Sequence, residues 1–441
     1  MKNMSGQSSS AALLEQLAVK LAGPVSVEDR RRASAHLLDW AGCAMAGRNE
    51  PAGRIALEGR GDGPAATAFA WGMLGNILEM DDVDKRAILH PGPSVIPATL
   101  ALGDVLLSSR ADILNAIVRG YEAVIRLGRA VGPAHYAFWH NTGTCGPIGA
   151  AAAGASLLGL NTAQTAHALA LATSQAAGVW QTRHEPASMG KQLHTGNAAR
   201  AGVDAARLAS RGFLGPLTIL EGQQGFFAAT CPGADPAGVL ADYGPDWLIH
   251  DVSFKPWPAC RHAHAAIDAA LLAGKAPVSD IEAITVTTYP DALAFCDRAE
   301  PASVVEAKFS LQHSVAVALA RGEPALEDFE PDAIADPDLK ALRAKTTVER
   351  GEPFSAAYPD RYGASVSIRR NGDTQVFDAP DALGDPENPL SPDGLHIKAR
   401  TLMTAGGLAA AEIDSLIAAL IEDPDVMDTR DMIRGLKGAL S

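Results

Sequence analysis

The sequence contains one long stretch without a charged side chain, at residues 141–182, which reads NTGTCGPIGAAAAGASLLGLNTAQTAHALALATSQAAGVWQT. Helices without a charged face are usually buried on all sides. The many Ala and Gly residues also allow neighbouring backbones to approach closely. We therefore predict that this stretch forms the central layer of a large helical domain. It is not predicted to span a membrane, because no run of about 18 residues is apolar enough.

Helical patterns continue on both sides of this stretch. Apolar residues recur at helical spacing over 11–22, and the segment from Ser26 to Asp29 resembles a capping box that opens a second helix. Further predicted helices before residue 275 are 65–79, 93–108, 111–131, 146–159, 162–178 and 195–211.

The pattern changes after about residue 275, where strands are predicted. Residues 281–289 alternate as a half-buried strand does. The runs 362–370 and 373–378 flank Asn371-Gly372, a pair that suits the type I′ turn of a hairpin.

A helix at 303–320 and an acidic, proline-rich run at 323–338 lie between these strands, and we predict that the acidic run is a solvated connection. The pattern is helical again from about residue 390. The simplest fold is mainly α with an α+β second domain. The all-helical domain would comprise residues 1–270 and 390–441, and the α+β domain residues 271–389.

The composition excludes some classes of function. The chain has 441 residues, with 37 Lys and Arg against 51 Asp and Glu, which gives a net charge of −14. A basic face for nucleic acid is therefore not expected, although a local pocket can still bind a small anion. The five cysteines include no CxxC pair, and Glu15 and Lys20 interrupt what would be the apolar core of a signal peptide. We expect a soluble, cytoplasmic protein.

Two short motifs lack the partners that would give them a function. Gly190-Lys191 has neither the first glycine nor the Ser or Thr of a phosphate-binding loop. Cys260, His262 and His264 alternate like metal ligands, but no fourth ligand accompanies them. No metal site is predicted.

Five segments combine titratable residues with Gly, Pro or other small residues, as expected where helix ends carry chemistry. They are 75–94 (GNILEMDDVDKRAILHPGPS), 138–149 (FWHNTGTCGPIG), 188–202 (SMGKQLHTGNAARAG), 253–268 (SFKPWPACRHAHAAID) and 306–319 (EAKFSLQHSVAVAL). In this order and with these separations they resemble the MmgE/PrpD family over nearly the whole chain. The resemblance implies a homodimer whose α+β domain acts as a lid over the helical domain, and catalysis without a metal or organic cofactor.

The resemblance also implies a set of site residues. The predicted catalytic residues are Glu79, Asp82, His90, His140, Lys191 and Lys255, and the predicted substrate-binding residues are Thr142, His194, His313 and the same two lysines. The acidic stretch also contains Asp81. The family usually has Asp where Glu79 stands and Thr or Ser where Val83 stands, and the decarboxylases carry Tyr at the position of His313.

The family's substrates share a C–H bond next to a carboxylate, and removing that proton needs two provisions. A base must titrate near neutrality, which suits His90 and His140. Positive charge must face the carboxylate, which suits Lys191 and Lys255. Glu79 or Asp82 would orient a histidine.

We therefore predict a cofactor-independent lyase, similar to 2-methylcitrate dehydratase, that acts on a small di- or tricarboxylate. Three alternatives stay open: an epimerase of a dicarboxylate such as an iminodisuccinate-like substrate, an enzyme similar to cis-aconitate decarboxylase, and a paralogue that binds carboxylates without turnover. The spacing from Asp82 to His90 resembles that of the epimerase.

Overall fold

The structure, a computed structural model, describes residues 11–185, 187–421 and 429–440. Helices account for nearly all regular structure up to residue 273 and again after residue 390. The helices before the sheet are α1 (Leu13–Leu21), α2 (Val27–Gly47), α3 (Pro51–Glu58), α4 (Pro64–Leu74), α5 (Gly92–Leu106), α6 (Arg110–Ala130), α7 (Gly132–Tyr136), α8 (Asn141–Leu157), α9 (Thr162–Thr173), α10 (Gly190–Ala209), α11 (Phe226–Thr230) and α12 (His264–Ala273).

The capping box at the start of α2 forms as predicted. The Ser26 side chain accepts a hydrogen bond from the Asp29 amide, and the Asp29 carboxylate accepts one from the Ser26 amide at 2.8 Å. The predicted helices are confirmed, with shifted ends. The helix predicted at 65–79 ends at Leu74, so Glu79 lies in the loop between α4 and α5.

Helix α8 confirms the prediction for the uncharged stretch. Every residue from Asn141 to Ala155 is buried, and the helix packs against α5, α6, α9 and α10. The approach to α6 is so close that a Cβ atom on Gly149 would lie 2.7 Å from Val124 Cβ. None of the helices in the described ranges is long and apolar enough to cross a bilayer.

The second part of the chain contains a four-stranded mixed sheet in the order β2-β1-β3-β4. Strand β1 pairs in parallel with β2 and antiparallel with β3, and β3 pairs antiparallel with β4. The strands and helices of this part are β1 (Ile281–Thr288), α13 (Pro290–Cys296), α14 (Val304–Lys308), α15 (Leu311–Ala320), α16 (Pro331–Ala335), α17 (Pro337–Ala344), β2 (Thr346–Arg350), α18 (Phe354–Ala357), β3 (Ala364–Arg370) and β4 (Asp373–Ala379). The chain then returns to helix in α19 (Pro392–Ala405), α20 (Ala410–Ile421) and α21 (Thr429–Ala439).

The hairpin β3–β4 is confirmed, including its turn. Asn371 and Gly372 have φ values of 51° and 82°, the left-handed conformations that a type I′ turn requires. Strand β2 was not predicted, because TTVER offers a single apolar side chain and lies at the edge of the sheet.

Two expectations for the residues between the strands are wrong. The helix predicted at 303–320 is interrupted, and Ser310 caps its second half. The acidic run 323–338 is not a solvated connection, because it contains α16 and the start of α17, and Phe329 is fully buried. The many carboxylates of this run predict a solvated segment, and a single buried aromatic residue does not change that charge pattern.

Two main hydrophobic cores lie in different parts of the chain. The larger one unites residues from Leu14 to Phe254 with residues 395–440, and the second is formed between Trp257 and Ala382. Helix α12 belongs to the second core, so the packing favours a boundary near residue 255, whereas we expected residues up to 270 in the helical domain. Residues 1–10, 422–428 and 441 of the expected domains lie outside the described ranges. The division into domains stays a prediction, while the fold class, mainly α with an α+β second part, is confirmed.

Candidate active site

Three helices begin close together at the predicted site. His90 stands two residues before α5, His140 is the N-cap residue of α8, and Lys191 lies in the first turn of α10. The His90 amide donates to Thr142 Oγ1 at 3.0 Å, and His140 Nδ1 lies 3.2 Å from His194 Nδ1. Because the start of a helix carries a partial positive charge, this meeting point favours anions.

A main-chain bridge brings the segment of Lys255 to the loop between α4 and α5, residues 75–91, which we call the acidic loop. The Val83 amide donates to the Ser253 carbonyl at 3.0 Å, and the Ser253 amide donates to the Val83 carbonyl at 2.9 Å. This pairing sets Lys255, two residues beyond Ser253, beside the carboxylates that precede Val83. Lys255 is almost completely buried, with 1% of its surface exposed.

Glu79 is the counter-ion of both lysines. One of its carboxylate oxygens contacts Lys191 Nζ, and the other lies 3.9 Å from Lys255 Nζ. Burial alone would raise the pKa of Glu79, but Lys191 and Lys255 outweigh burial, and the pKa lies below its usual value. Lys255 Nζ is also 3.7 Å from Asp81 Oδ1, so both of its carboxylate neighbours are beyond ordinary hydrogen-bond distance.

Asp81 orients the ring of His90. The Nδ1 atom of His90 lies 3.0 Å from Asp81 Oδ2 and 2.9 Å from the Asp82 carbonyl oxygen. Since both neighbours are acceptors, Nδ1 carries the hydrogen, and Nε2 is left for proton transfer. Burial would raise the pKa of Asp81, yet the charges of His90 and Lys255 hold it well below its usual range. Asp81 is also fixed by Asn76, whose Nδ2 donates at 2.6 Å.

The carboxylate of Asp82 points away from His90. It accepts from Tyr121 Oη at 2.6 Å and from the Gly92 amide at 3.0 Å, and it lies 2.7 Å from His36 Nδ1. Burial, the largest influence, raises the pKa of Asp82 to about 6.

We predicted that Glu79 or Asp82 orients a histidine; the carboxylate of Asp82 does contact one, His36, but neither carboxylate contacts His90 or His140 in the described part of the chain. Glu79 binds lysines, and Asp82 reaches His90 through its main-chain carbonyl alone. Asp81 takes the orienting position. The two neighbouring carboxylates face different partners, because Asp81 lies against His90 and Asp82 lies against His36 and Tyr121.

His140 is buried, and its Nε2 makes no hydrogen bond in the described part of the chain. Its ring packs on Trp180, with 4.5 Å between the centroids. Burial, followed by the charge of Lys191, puts the pKa of His140 well below its usual value, so the ring is neutral. The same two causes lower the pKa of His194. The low pKa makes His140 a weaker base than the near-neutral histidine expected from the sequence, although the charge of Asp81 opposes the lowering. When Nδ1 donates to His194, the lone pair on Nε2 can accept a proton.

The structure does not bring His313 to this cluster. Its Nε2 donates to the Asp328 carbonyl at 2.7 Å, and its Nδ1 accepts from Arg343 at 3.0 Å. Burial lowers the pKa of His313 to about 4. Both ring nitrogens are thus engaged within the second part, and we no longer count His313 among the substrate-binding residues.

The alternating Cys260, His262 and His264 have separate structural contacts. His262 Nδ1 lies 2.8 Å from Tyr289 Oη, and His264 Nε2 lies 3.1 Å from the Ala259 carbonyl. Among the residues that the structure describes, no group of three or more His, Cys, Asp or Glu side chains is placed to hold a metal ion.

Four side chains from outside the acidic loop that contact residues 78–82 were not predicted: His36, Tyr121, Lys308 and Lys398. Lys308 lies in the segment 306–319, which the sequence singled out, so a buried lysine there could have been considered. The other three lie on long helices among apolar residues, and nothing in their local sequence points to the site.

Two family models match the chain. The MmgE/PrpD N-terminal domain matches residues 19–238, and the MmgE/PrpD C-terminal domain matches residues 257–423. The chain is 29% identical to cis-aconitate decarboxylase of Mus musculus over 408 residues, which cover 85% of this chain and 79% of that protein. It is 25% identical to cis-aconitate decarboxylase of Aspergillus terreus over 453 residues, or 91% of each chain. It is 29% identical to 2-methylcitrate dehydratase of Cupriavidus necator over 224 residues, or 48% of this chain and 46% of that protein.

Proposed function

The chain belongs to the MmgE/PrpD family, and we propose that it is a lyase that removes a proton next to a carboxylate of a small di- or tricarboxylate. One observation carries the proposal. His90, Lys191 and Lys255, from three separate segments, contact one pair of buried carboxylates, and His140 begins the helix whose Thr142 accepts from the His90 amide.

The charges of the site suit a ligand with more than one carboxylate. Lys191 and Lys255 share Glu79 as their counter-ion, and Lys255 is held at ion-pair distance without a close hydrogen bond to either acid. Its N–H groups are therefore available to a ligand carboxylate. The partial charges at the starts of α5, α8 and α10 add to the same attraction.

The two histidines would have different roles. His140, neutral and with an unoccupied Nε2, takes the proton from carbon, and the electron pair moves into the adjacent carboxylate, which the lysines stabilise. His90 acts as an imidazolium: Asp81 holds its Nδ1–H, and its Nε2–H passes to the leaving β-hydroxyl, which leaves the ring neutral. The products are an unsaturated acid and water.

A second candidate reaction is decarboxylation. The relatives that cover most of the chain are cis-aconitate decarboxylases, whereas the dehydratase of Cupriavidus necator matches about half of it. In this reaction an unsaturated tricarboxylate loses CO2, and a histidine gives a proton to the carbon that retains the electron pair.

NMR spectroscopy of reactions in D2O separates the candidates. The protein is incubated with 2-methylcitrate, with cis-aconitate and with a panel of di- and tricarboxylates. A new alkene without CO2 release supports dehydration, and CO2 release with deuterium in the product supports decarboxylation. Deuterium in recovered substrate without a new product supports the epimerase instead. Thermal stabilisation by a polycarboxylate without exchange or product would overturn the proposal in favour of a binding protein.

The proposal also includes a homodimer and independence from metals and organic cofactors, as the family resemblance implies, and a cytoplasmic location, as the scattered cysteines indicate. Light scattering should give twice the chain mass, and turnover should survive exhaustive treatment with a chelator. A monomer, or loss of turnover that added metal restores, would remove the respective part of the proposal.

A further inference from the structure

Two buried lysines hold the main chain on either side of Glu79. Lys308 Nζ donates to the Leu78 carbonyl at 3.2 Å, and Lys398 Nζ donates to the Met80 carbonyl at 2.5 Å. Lys308 is the last residue of α14 in the second part, and Lys398 lies on α19, after the chain has returned to helix. Two segments that are far apart in the sequence thus hydrogen-bond to the carbonyls of the two residues next to Glu79.

The backbone of Glu79 needs such support. Its φ of 60° lies in the left-handed region, which residues other than glycine rarely adopt. Conformations of this kind persist where the surrounding structure enforces them, and they cluster at functional sites. Here the unusual conformation directs the carboxylate between Lys191 and Lys255.

The two lysines differ in their partners. Lys398 is paired with Asp39, and although burial opposes it, this carboxylate raises the pKa of Lys398 above its usual value. Lys308 has only the neutral Leu78 carbonyl as a hydrogen-bond partner within the described ranges, and burial lowers the pKa of Lys308. A buried ammonium without a paired carboxylate is unfavourable for stability. Its presence beside Glu79 therefore calls for a functional reason.

Lys308 also connects the two sides of the site. Its own carbonyl accepts from the Cys260 amide at 2.8 Å, and Cys260 follows Lys255 by five residues. The side chain of Lys308 thus holds the loop of Glu79, while its main chain holds the segment of Lys255. Lys308 therefore adds a second link between these two groups, beside the main-chain bridge between Val83 and Ser253.

We propose that Lys308 and Lys398 are positioning residues that fix the carbonyls flanking Glu79 and so keep its carboxylate between Lys191 and Lys255. The inference rests on the proposed function only in taking Lys191 and Lys255 as carboxylate-binding groups. Neither positioning lysine needs to contact the substrate.

A double-mutant cycle tests this role. Binding of tricarballylate, an unreactive tricarboxylate, is measured by calorimetry for the parent, Lys308→Met, Glu79→Gln and the double variant. If Lys308 acts through Glu79, Lys308→Met should change the dissociation constant by roughly threefold or more in the parent and by much less in the Glu79→Gln background. The direct loss of one positive charge affects both backgrounds alike, so it cancels in the comparison. Lys308→Arg, which can still donate to the carbonyl, should restore the parent value within about twofold.

Equal effects of Lys308→Met in both backgrounds would overturn the proposal, and so would a parent protein that does not bind tricarballylate. If Lys308→Met does not fold, as judged by circular dichroism, Lys308→Leu, which also lacks a donor for the Leu78 carbonyl, replaces it in the same cycle with the same criteria. The readout is binding, so a parent that binds tricarballylate without turning over any substrate would refute the proposed reaction and leave this inference standing. The Lys398 side is tested by Lys398→Met combined with Asp39→Asn, so that no carboxylate is left alone.

Discussion

Helix α8 and the loop between α4 and α5 meet at the candidate active site, but they are built in opposite ways. The helix has no charged side chain, and its residues are buried from Asn141 to Ala155. The loop buries Glu79, Asp81 and Asp82 in irregular backbone, and each acid has partners from other parts of the chain. A helix satisfies its own peptide groups and needs only apolar neighbours, whereas a buried loop needs polar partners from elsewhere. The helix therefore supplies rigidity and the loop supplies charge.

The largest effect is expected from removing a charge that the loop depends on. Lys191→Met takes away the contact with Glu79 and one carboxylate-binding group, so kcat/KM should fall about a thousandfold. The free energy of unfolding should also fall, because the buried Glu79 loses one of its two cationic partners, so circular dichroism must first show that the variant is folded at the assay temperature. Arg200→Met, on the exposed side of the same helix, is the control and should keep the parent kcat/KM. Unchanged kinetics in Lys191→Met would remove this lysine from the mechanism.

The next effect distinguishes two acids of the same loop. Asp81→Asn preserves the shape of the side chain but not the charge that faces His90, so kcat should fall by roughly 30- to 100-fold with a smaller change in KM. Asp84→Asn is the matched control, because Asp84 is equally buried but pairs with Arg129. It should reduce stability and retain most of kcat. Similar losses of kcat in both variants would show that Asp81 has no special relation to His90.

The regular elements, helix α8 and the β3–β4 hairpin, could be predicted from the sequence. The absence of charge over residues 141–182 identified the buried layer, and Asn371-Gly372 identified the hairpin. Both signals are local, because burial on all sides and a left-handed turn each constrain the residues that carry them. The run 323–338, by contrast, has the charge pattern of a solvated connection but contains α16 and a buried Phe329, because the neighbours of Phe329 in the sequence are mostly carboxylates.

The loop between α4 and α5 and the candidate site around it could be predicted only in part. The family resemblance located His90, His140, Lys191 and Lys255, and the structure brings them together. It could not show that Asp81 and not Asp82 faces His90, because that choice depends on which way each side chain points. The partners of the loop on α2, α6, α14 and α19 are set by tertiary packing, and their sequence separation hides them.

A substitution in α8 tests the rigid side of the comparison. Gly149→Ala places a Cβ atom 2.7 Å from Val124 Cβ and 2.8 Å from the Gly120 carbonyl, so α6 and α8 must move apart. We expect a loss of about 1–3 kcal/mol in the free energy of unfolding, measured with urea, and little change in kcat/KM. Gly438→Ala, in α21 with open space around the new atom, should be neutral or slightly stabilising. If Gly149→Ala left stability unchanged, the close packing of α8 would not be what holds this layer rigid.

The smallest effect concerns Asp82, and its sign depends on pH. Burial raises the pKa of Asp82 from its usual 3.8 to about 6, so the folded protein binds this proton more tightly than the unfolded chain does. Its contribution to stability is therefore present below pH 4 and is lost as the pH rises from about 4 to 6. Asn carries no charge, so Asp82→Asn avoids this loss, although it weakens the hydrogen bonds to His36 and Tyr121. We expect the stability of the variant relative to the parent, measured as the difference in the free energy of unfolding, to be about 1–2 kcal/mol higher at pH 8 than at pH 4.5.

Asp81→Asn should show the opposite trend and serves as the reference. The pKa of Asp81 is held well below its usual range by His90 and Lys255 despite burial, so its charge stabilises the fold above pH 4, and this stability is lost as the pH falls below that value. The variant should therefore be less stable than the parent at pH 8, and its deficit should shrink only in acid. Urea titrations of both variants and of the parent, from about pH 2 to pH 8, make the comparison, because the Asp81 trend appears only below about pH 4. If the two neighbours responded to pH in the same direction, their side chains would not face the opposite environments on which the arrangement of the loop depends.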